Sequence, residues 1–513
     1  MKTLSKYLLT GWVLAFAVTS GYWGMATAPH NRWYMYFTAF DFWVLLAMTL
    51  ALGTVLGLGA WLAGRRFPRI RPLLVASFWG WLALALANNF PDIHQRIALR
   101  TGWSWLSGPV WWLVVWGAGA AGIACALLFP AWRRGAARGW RILRCVLWPL
   151  VFIVPFSVGR LPSLEAAYGK GLDFARVPGN GKPAVVVLMF DMLGYGELFD
   201  AEGGVRPACT NFAALCARSD VYHAARSAGK RTATSIPGFI LQERLEDPPR
   251  DLRYTHDDWP FTDGTNTVHL RDFAAQSLPA LARERGGRTQ TIGMHVPWDC
   301  LLPGLWDGTE SMSIYLGHHG VHRFGTPPSF LATAKDHAAW YFLFVSKSPL
   351  SAALKVAGID DLTEGQGWDE RDSLVERAGR YFREALSPGD FFMVHIDLPH
   401  TPYLLGRGGV RLPPSLYHDD RAGLAAQMEG ADWALGRWME DLASSPAGRD
   451  AWIIVTSDHN LHNYRVRKGE KTDVPFLVHR PGQTVRRDIA GPADLTDLRH
   501  LIPDCPLFAE AAP

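Results

Sequence analysis

Four short segments carry side chains whose types and spacing could act together. Asp191 follows an apolar run, in Phe190-Asp-Met-Leu-Gly-Tyr-Gly196, and Asp458 and His459 follow another, in Val455-Thr-Ser-Asp-His459. Carboxylates and an imidazole are the donors that hold Zn²⁺ or Mn²⁺, although an Asp at a strand end also serves to cap a turn. In Gly229-Lys-Arg-Thr-Ala-Thr-Ser-Ile-Pro237, small hydroxylated residues precede an apolar stretch, so a helix is expected to begin near Thr232. A hydroxyl there faces the positive end of the helix dipole, which favours an alkoxide or a bound anion; an ordinary N-cap is the competing reading. The fourth segment is Val394-His-Ile-Asp-Leu-Pro-His-Thr-Pro-Tyr403. His400 lies in its Pro-flanked loop, where an imidazole can bind phosphate or move a proton, whereas His395 reads as a core histidine. Lys230 and Arg231 are candidate phosphate contacts or a solvated basic loop. The His318-His319-Gly-Val-His322 cluster reads as a polar loop rather than a metal site.

These segments need elements to position them. Ala184–Phe190, Thr289–Met294, Phe391–Ile396 and Trp452–Val455 are continuous apolar runs, the pattern of strands buried on both faces. Helical patterns lie between them, at Asn211–Ala217, Ser277–Arg285, Ser373–Leu386 and Leu424–Leu442. The alternation predicts an α/β domain with a mostly parallel central sheet over residues 183–513. In such sheets ligands sit beyond the carboxyl ends of strands, where Asp191, His400, Asp458 and His459 fall.

The chain before this domain is a different material. Residues 1–160 hold 15 Lys and Arg against two acids, a net +13, and 15 of the 23 Trp; the remaining 353 residues sum to −9, so the overall +4 describes neither part. Long apolar runs separate the basic residues, which excludes a disordered chain and argues against nucleic acid as a partner. Five spans are expected, at about 7–28, 42–63, 72–90, 110–132 and 140–158, forming a transmembrane bundle over 1–160 followed by a linker at 161–182. Because further spans follow, the first is read as an anchor rather than a cleaved signal peptide. Eleven of the 15 basic residues flank one side, which predicts a cytoplasmic N-terminus and, after five crossings, residues from about 160 onward outside the membrane. Cys209 and Cys216, seven apart in a helical stretch, are too far apart to bridge each other; pairing with Cys300 or Cys505 stays open.

Taken in order, these motifs resemble the alkaline-phosphatase superfamily in its sulfatase-like branch, and in architecture the membrane phosphoethanolamine transferases and lipoteichoic acid synthases. Asp191-Met-Leu-Gly-Tyr-Gly-Glu-Leu198 is similar to the opening metal motif of sulfatases. Thr232-Ala-Thr-Ser-Ile-Pro237 is similar to a Thr-x-x-Ser-x-Pro nucleophile segment, His400-Thr-Pro-Tyr403 to a His-x-Pro-Tyr substrate segment, and Ser457-Asp-His459 to a metal motif. Gln427–Leu442, with Asp432 and Gly436, resembles the helix before the last of these strands. The resemblance implies one divalent ion, zinc favoured over manganese, held by Asp191, Thr232, Asp458 and His459. Thr232 would be the nucleophile, His400 a catalytic and substrate-binding residue, and Lys230, Arg231 and His462 further substrate contacts. It implies transfer of a phospholipid head group, such as phosphoethanolamine, to an envelope lipid or glycan. A sulfatase-like hydrolase and a catalytically degenerate membrane scaffold are the alternatives. The sequence departs from sulfatases in having Thr232 and no Cys/Ser-x-Pro-x-Arg segment, and from the transferases in having Asp191 where they generally use Glu.

Overall fold

The computed structural model describes residues 2–27, 39–68, 171–246, 260–262, 266–294, 301–302, 304–312, 329–331, 361–416, 421–460 and 473–508, with isolated positions at 296, 298, 333 and 334. The chain divides into two compact units, one of Met1–Arg32, Phe37–Ser163 and Ser329–Ile359, the other of Trp33–Tyr36, Leu164–Pro328 and Asp360–Pro513.

In the first unit α1 (Lys2–Thr27) and α2 (Ala39–Arg66) coincide with the first two expected spans. Among the described residues one helix, Trp43–Arg66, is long and apolar enough to cross a membrane. The third to fifth expected spans lie outside the described residues. Where α1 and α2 cross, a Cβ on Gly11 would fall 2.0 Å from the Gly53 carbonyl oxygen and one on Gly57 2.7 Å from that of Tyr7. The absence of side chains there lets two backbones touch, as small-xxx-small pairs do between apolar helices, and Trp12 Nε1 donates to Thr54 Oγ1 at 3.0 Å.

The second unit is built on an eight-stranded sheet. Its strands are β1 (Val185–Phe190), β2 (Asp220–Arg226), β5 (Thr289–Met294), β6 (Gly308–Met312), β7 (Phe391–Ile396), β8 (Trp452–Ser457), β9 (Val474–His479) and β10 (Arg487–Asp494), with β3 (Pro260–Thr262) and β4 (Thr267–His269) pairing separately. The spatial order is β10-β2-β9-β8-β1-β7-β5-β6, and β9 runs against its neighbours while the other pairings are parallel. The helices that matter below are α3 (Thr210–Cys216), α4 (Thr232–Leu241), α5 (Leu278–Glu284), α6 (Asp361–Glu384) and α7 (Ala422–Ser444).

Both faces of the sheet are covered, which is why its central strands read as unbroken apolar runs. Val186, Leu188 and Phe190 of β1 pack into a core with residues of α3, α6 and α7. Val185, Val187 and Met189 pack on the other face with Ile236, Phe239 and Ile240 of α4 and Leu278 and Leu281 of α5. Polar β6 and the largely exposed β10 lie at the two edges, where less apolar surface is buried, so they carry no apolar run to find.

Residues 171–182, expected as linker, are fastened to this unit over their first part. Leu172 N donates to Glu310 Oε1 at 3.0 Å and Asp173 N to Gln290 Oε1 at 2.8 Å. Arg377 forks onto the buried Glu310 carboxylate, and the Arg377 and Arg380 guanidinium groups lie over the Phe174 ring at 5.0 and 4.1 Å.

Candidate active site and metal centre

Three parallel neighbours set the site. β1 lies between β7 and β8, with Met189 opposite His395 and Thr456, so the chain after all three strands emerges at one carboxyl edge. Asp191 N donates to the Ile396 carbonyl at 2.8 Å and Asp458 N to that of Phe190 at 3.1 Å, which extends the ladder one step past β1 and β8. Side chains alternate across a strand. Asp191, His395 and Asp458 all have the parity of the face that α4 covers, so they converge beneath the helix that begins with Thr232.

After Asp191 the chain turns through Met192, whose φ of 63° is in the left-handed region, a conformation that costs about 1 kcal/mol or more for a side chain of this size. The turn aims two amides at β8: Met192 N donates to Asp458 Oδ1 at 3.1 Å and Leu193 N to Ser457 Oγ at 2.9 Å. His459 N also donates to Asp458 Oδ1, at 2.6 Å. On the other side, Ser235, one turn along α4 from Thr232, donates its hydroxyl to the Asp458 carbonyl. That bond ties α4 to the end of β8, and Thr232 Oγ1 stands 3.3 Å from His459 Nε2.

The tautomers follow from the partners. His459 Nδ1 faces the Asn460 carbonyl at 2.7 Å and His395 Nδ1 faces the Met294 carbonyl at 2.8 Å. A carbonyl only accepts, so Nδ1 carries the proton in each neutral ring and Nε2 presents a lone pair. Those lone pairs point at carboxylates: His459 Nε2 is 3.4 Å from Asp458 Oδ2 and 3.7 Å from Asp191 Oδ1, and His395 Nε2 is 3.9 Å from Asp458 Oδ2. Donor atoms of Asp191, His395 and Asp458 all lie within 4.8 Å of one another, and all three residues are buried. Asp458 Oδ2 accepts no hydrogen bond among the described residues. Two carboxyls and two imidazole nitrogens crowded into one buried cluster are the donor set that a divalent cation accepts. The backbone-bonded Nδ1 atoms give the orientation that metal-bound imidazoles have.

The electrostatics agree. Burial, then the negative charges of Asp458 and Asp397, hold the Asp191 carboxyl well above the usual range despite Arg371 nearby. Burial pushes Asp458 the same way, but His459, His395, the Thr232 hydroxyl and the Met192 amide bring it below the usual value. Two carboxyls driven apart within one buried cluster mark a functional site.

The structure thus brings together the four residues expected to hold metal: Asp191, Thr232, Asp458 and His459. His395, expected as a core histidine, is corrected: one nitrogen is satisfied in the core, and the other faces the acids. The signal was a lone imidazole in an apolar run, one residue before the strand end. Asp397, one residue past β7, was missed as well; it pairs with the fully buried Arg371 at 2.5 Å. His400 is half-buried, its Nδ1 donating to the Thr401 carbonyl of its own loop. Lys230 and Arg231 are exposed beside Thr232. His462, the His318–His322 cluster and Cys300 lie outside the described residues. Cys209, Cys216 and Cys505 are free and buried, and burial pushes each thiol up to about 12.

A doubly covered, mostly parallel sheet with carboxylates and imidazoles at the ends of its central strands is an α/β domain with a candidate metal site at its carboxyl edge. The sulfatase family model matches residues 183–505, well over half of the chain, and the chain therefore belongs to the sulfatase family. No curated relative matches it at the level of sequence. Among solved structures it is similar to a protein of the alkaline phosphatase superfamily from Vibrio parahaemolyticus (15% identity, 66% of this chain and 69% of that one, TM-score 0.39). It is similar also to the phosphonate monoester hydrolase of Agrobacterium radiobacter (15%, 63% and 73%, 0.38) and to the lipoteichoic acid synthase LtaP from Listeria monocytogenes (13%, 64% and 72%, 0.37).

Proposed function

We propose that this chain is a membrane-anchored, metal-dependent phosphotransferase that moves a phospholipid head group, such as phosphoethanolamine, onto an envelope lipid or glycan at the outer face of a bacterial inner membrane. The observation that carries the reading is the Thr232 hydroxyl, set at the start of α4 and 3.3 Å from His459 Nε2. A threonine cannot become the formylglycine that sulfatases make from Cys or Ser, whereas its alkoxide suits attack on phosphorus.

Asp191, Asp458, His459 and Thr232 would hold the ion, with His395 beside them. Zinc suits the mixed nitrogen and oxygen donors, and manganese is the runner-up. Bound there, a divalent ion supplies positive charge that favours the ionised hydroxyl and the charge developing on phosphate. Thr232 Oγ1 then forms a bond to phosphorus while the bond from phosphorus to the diacylglycerol oxygen breaks, and that oxygen leaves with a proton. The first-turn amides of α4 add their dipoles to the stabilisation of the phosphoryl oxygens. An acceptor hydroxyl repeats the displacement, taking the head group and returning the Thr232 hydroxyl. His400 is the residue for binding phosphate or carrying the proton, and exposed Lys230 and Arg231 stand at the approach to Thr232, with His462 as a further substrate contact. Membership of the sulfatase family favours one second reading, in which water replaces the acceptor and the enzyme is a hydrolase of phosphate or sulfate esters.

Full-length protein in detergent, incubated with phosphatidylethanolamine or phosphatidylglycerol and digested for mass spectrometry, is expected to release diacylglycerol and gain the head-group mass on Thr232. Cleavage of water-soluble esters with no lipid turnover would sink the transferase reading and leave the hydrolase.

A further inference from the structure

The segment Asp397–Leu405 leaves the carboxyl edge of β7 and carries His400. Having left the sheet, its backbone pairs with a neighbouring stretch of chain only at its far end, where Leu405 bridges Arg411 and the Leu404 carbonyl accepts from Leu412 N, and two buried side chains from different helices hold the rest. Gln427 of α7 is fully buried. Its Oε1 accepts from Leu404 N at 2.5 Å and Leu405 N at 3.2 Å, and its Nε2 donates to the His400 carbonyl at 2.5 Å. Arg371 of α6 is fully buried too. It donates to the Asp397 carboxylate at 2.5 Å, to the Asp397 carbonyl at 3.5 Å and to the Pro402 carbonyl at 3.3 Å.

A primary amide and a guanidinium are costly to bury, and hydrogen bonds are what make that tolerable. Every bond named here ends on the segment that bears His400. The two clamps grip it at both ends and at His400 itself, while the His400 ring is oriented by Thr401 next door. Asp397, at the root of the segment, directly follows Ile396, whose carbonyl accepts from Asp191 N at 2.8 Å, so the clamped segment leaves the strand end that abuts the cluster.

We infer that Gln427 and Arg371 are positioning residues for His400, fixing where its imidazole stands relative to the Asp191, His395 and Asp458 cluster. This rests on the reading of His400 as a group that meets the substrate. Apolar packing alone would fill the same space but would leave the backbone groups of residues 400, 404 and 405 unpaired.

The test uses the full-length protein with bis(4-nitrophenyl) phosphate as a soluble phosphodiester probe and with phospholipid. Gln427→Leu is expected to lower kcat/KM by about 10- to 100-fold, the usual cost of losing a supporting hydrogen bond at such a site. Gln427→Glu, which keeps the acceptor for Leu404 and Leu405, is expected to recover part of the loss, and Arg371→Lys to lose less than Arg371→Leu. In a His400→Ala background, Gln427→Leu is expected to add nothing, and the limb of the pH profile lost in His400→Ala is expected to shift in Gln427→Leu. Full additivity with His400→Ala, or activity that merely tracks thermal stability across these variants, overturns the inference. Should the wild type turn over neither probe nor lipid, the functional reading fails on its own, and hydrogen exchange decides the clamp. Faster exchange at residues 397–405 in Gln427→Leu with β7 unchanged upholds the clamp, and unchanged exchange removes it.

Discussion

On the proposed reading, Thr232 is an ordinary side chain that its surroundings make reactive. It is nearly buried, it begins a helix, and its oxygen faces an imidazole lone pair whose direction is set by a backbone carbonyl. Thr232→Ala is expected to reduce turnover by at least about 10³-fold, as loss of a nucleophile does, while Thr232→Ser keeps measurable activity and accepts the head group at the same position. His395→Ala is expected to weaken metal binding by about 10- to 100-fold, read as metal retained through dialysis against a chelator; unchanged retention would return His395 to a purely structural role. Asp191 supplies a pH prediction. Its folded carboxyl titrates well above its unfolded value of about 3.9, so the metal-free folded state binds more protons than the unfolded one. The stability this contributes is complete below the unfolded value and is lost as pH rises through the folded one. In chelator, the melting temperature is expected to fall as pH rises above the unfolded carboxyl range, Asp191→Asn to flatten that slope, and added Zn²⁺ or Mn²⁺ to restore the melting temperature. Asp458, with its value depressed, contributes in the opposite sense, so the Asn variant at 191 is the discriminating measurement.

At the scale of elements, strand parity explains convergence better than any single contact. Asp191, His395 and Asp458 alternate onto the face that α4 covers, and the Ser235 bond to the Asp458 carbonyl then brings Thr232 over them. Not every residue that resembles a family motif is part of the chemistry. Asp432 of α7 accepts from Asn211 N and Phe212 N, both at 2.9 Å, and so caps the start of α3 from outside that helix. Asp432→Ala is expected to cost about 1–2 kcal/mol of stability, as loss of a helix cap does, measured by urea denaturation, with turnover per folded molecule unchanged. Four strands, β1, β5, β7 and β8, were readable as apolar runs because helices cover them on both sides, whereas interior β2 and β9 are not among the expected runs. β6 and β10 were not readable this way either, since an edge strand can be polar and still pair.

For the whole molecule, the expected topology places the catalytic unit outside the membrane, and labelling tests it directly. A cysteine introduced at exposed Val485 is expected to react with an impermeant maleimide in intact spheroplasts, and one at exposed Phe67, just past α2, only after lysis. The reverse pattern would put the catalytic unit in the cytoplasm. The described native thiols do not confuse the result, since all three are buried with their ionisation pushed up to about 12. Fastening of Leu172–Phe174 to Glu310, Gln290 and Arg377 also means that the chain enters this unit at a fixed point. Less of the stretch between the first unit and the sheet is left to act as a free tether than its glycines suggest.

Taken alone, the amino-acid sequence determined the kinds of material and the places where chemistry could sit. A basic, Trp-rich apolar part, an α/β part, and Asp191, Thr232, Asp458 and His459 at element ends are all local properties, set by composition, period and the chain neighbours of each residue. Only the tertiary structure decided which ends meet. Residues 191, 395 and 458 are joined because β7 and β8, distant in sequence, both pair with β1 in parallel register. Parity along a strand can be read from sequence, but which face a helix covers depends on crossovers that bring remote segments together. That is why His395 read as core, and why the clamps at Gln427 and Arg371 went unseen: a buried polar side chain reveals its purpose only through partners that local sequence does not name.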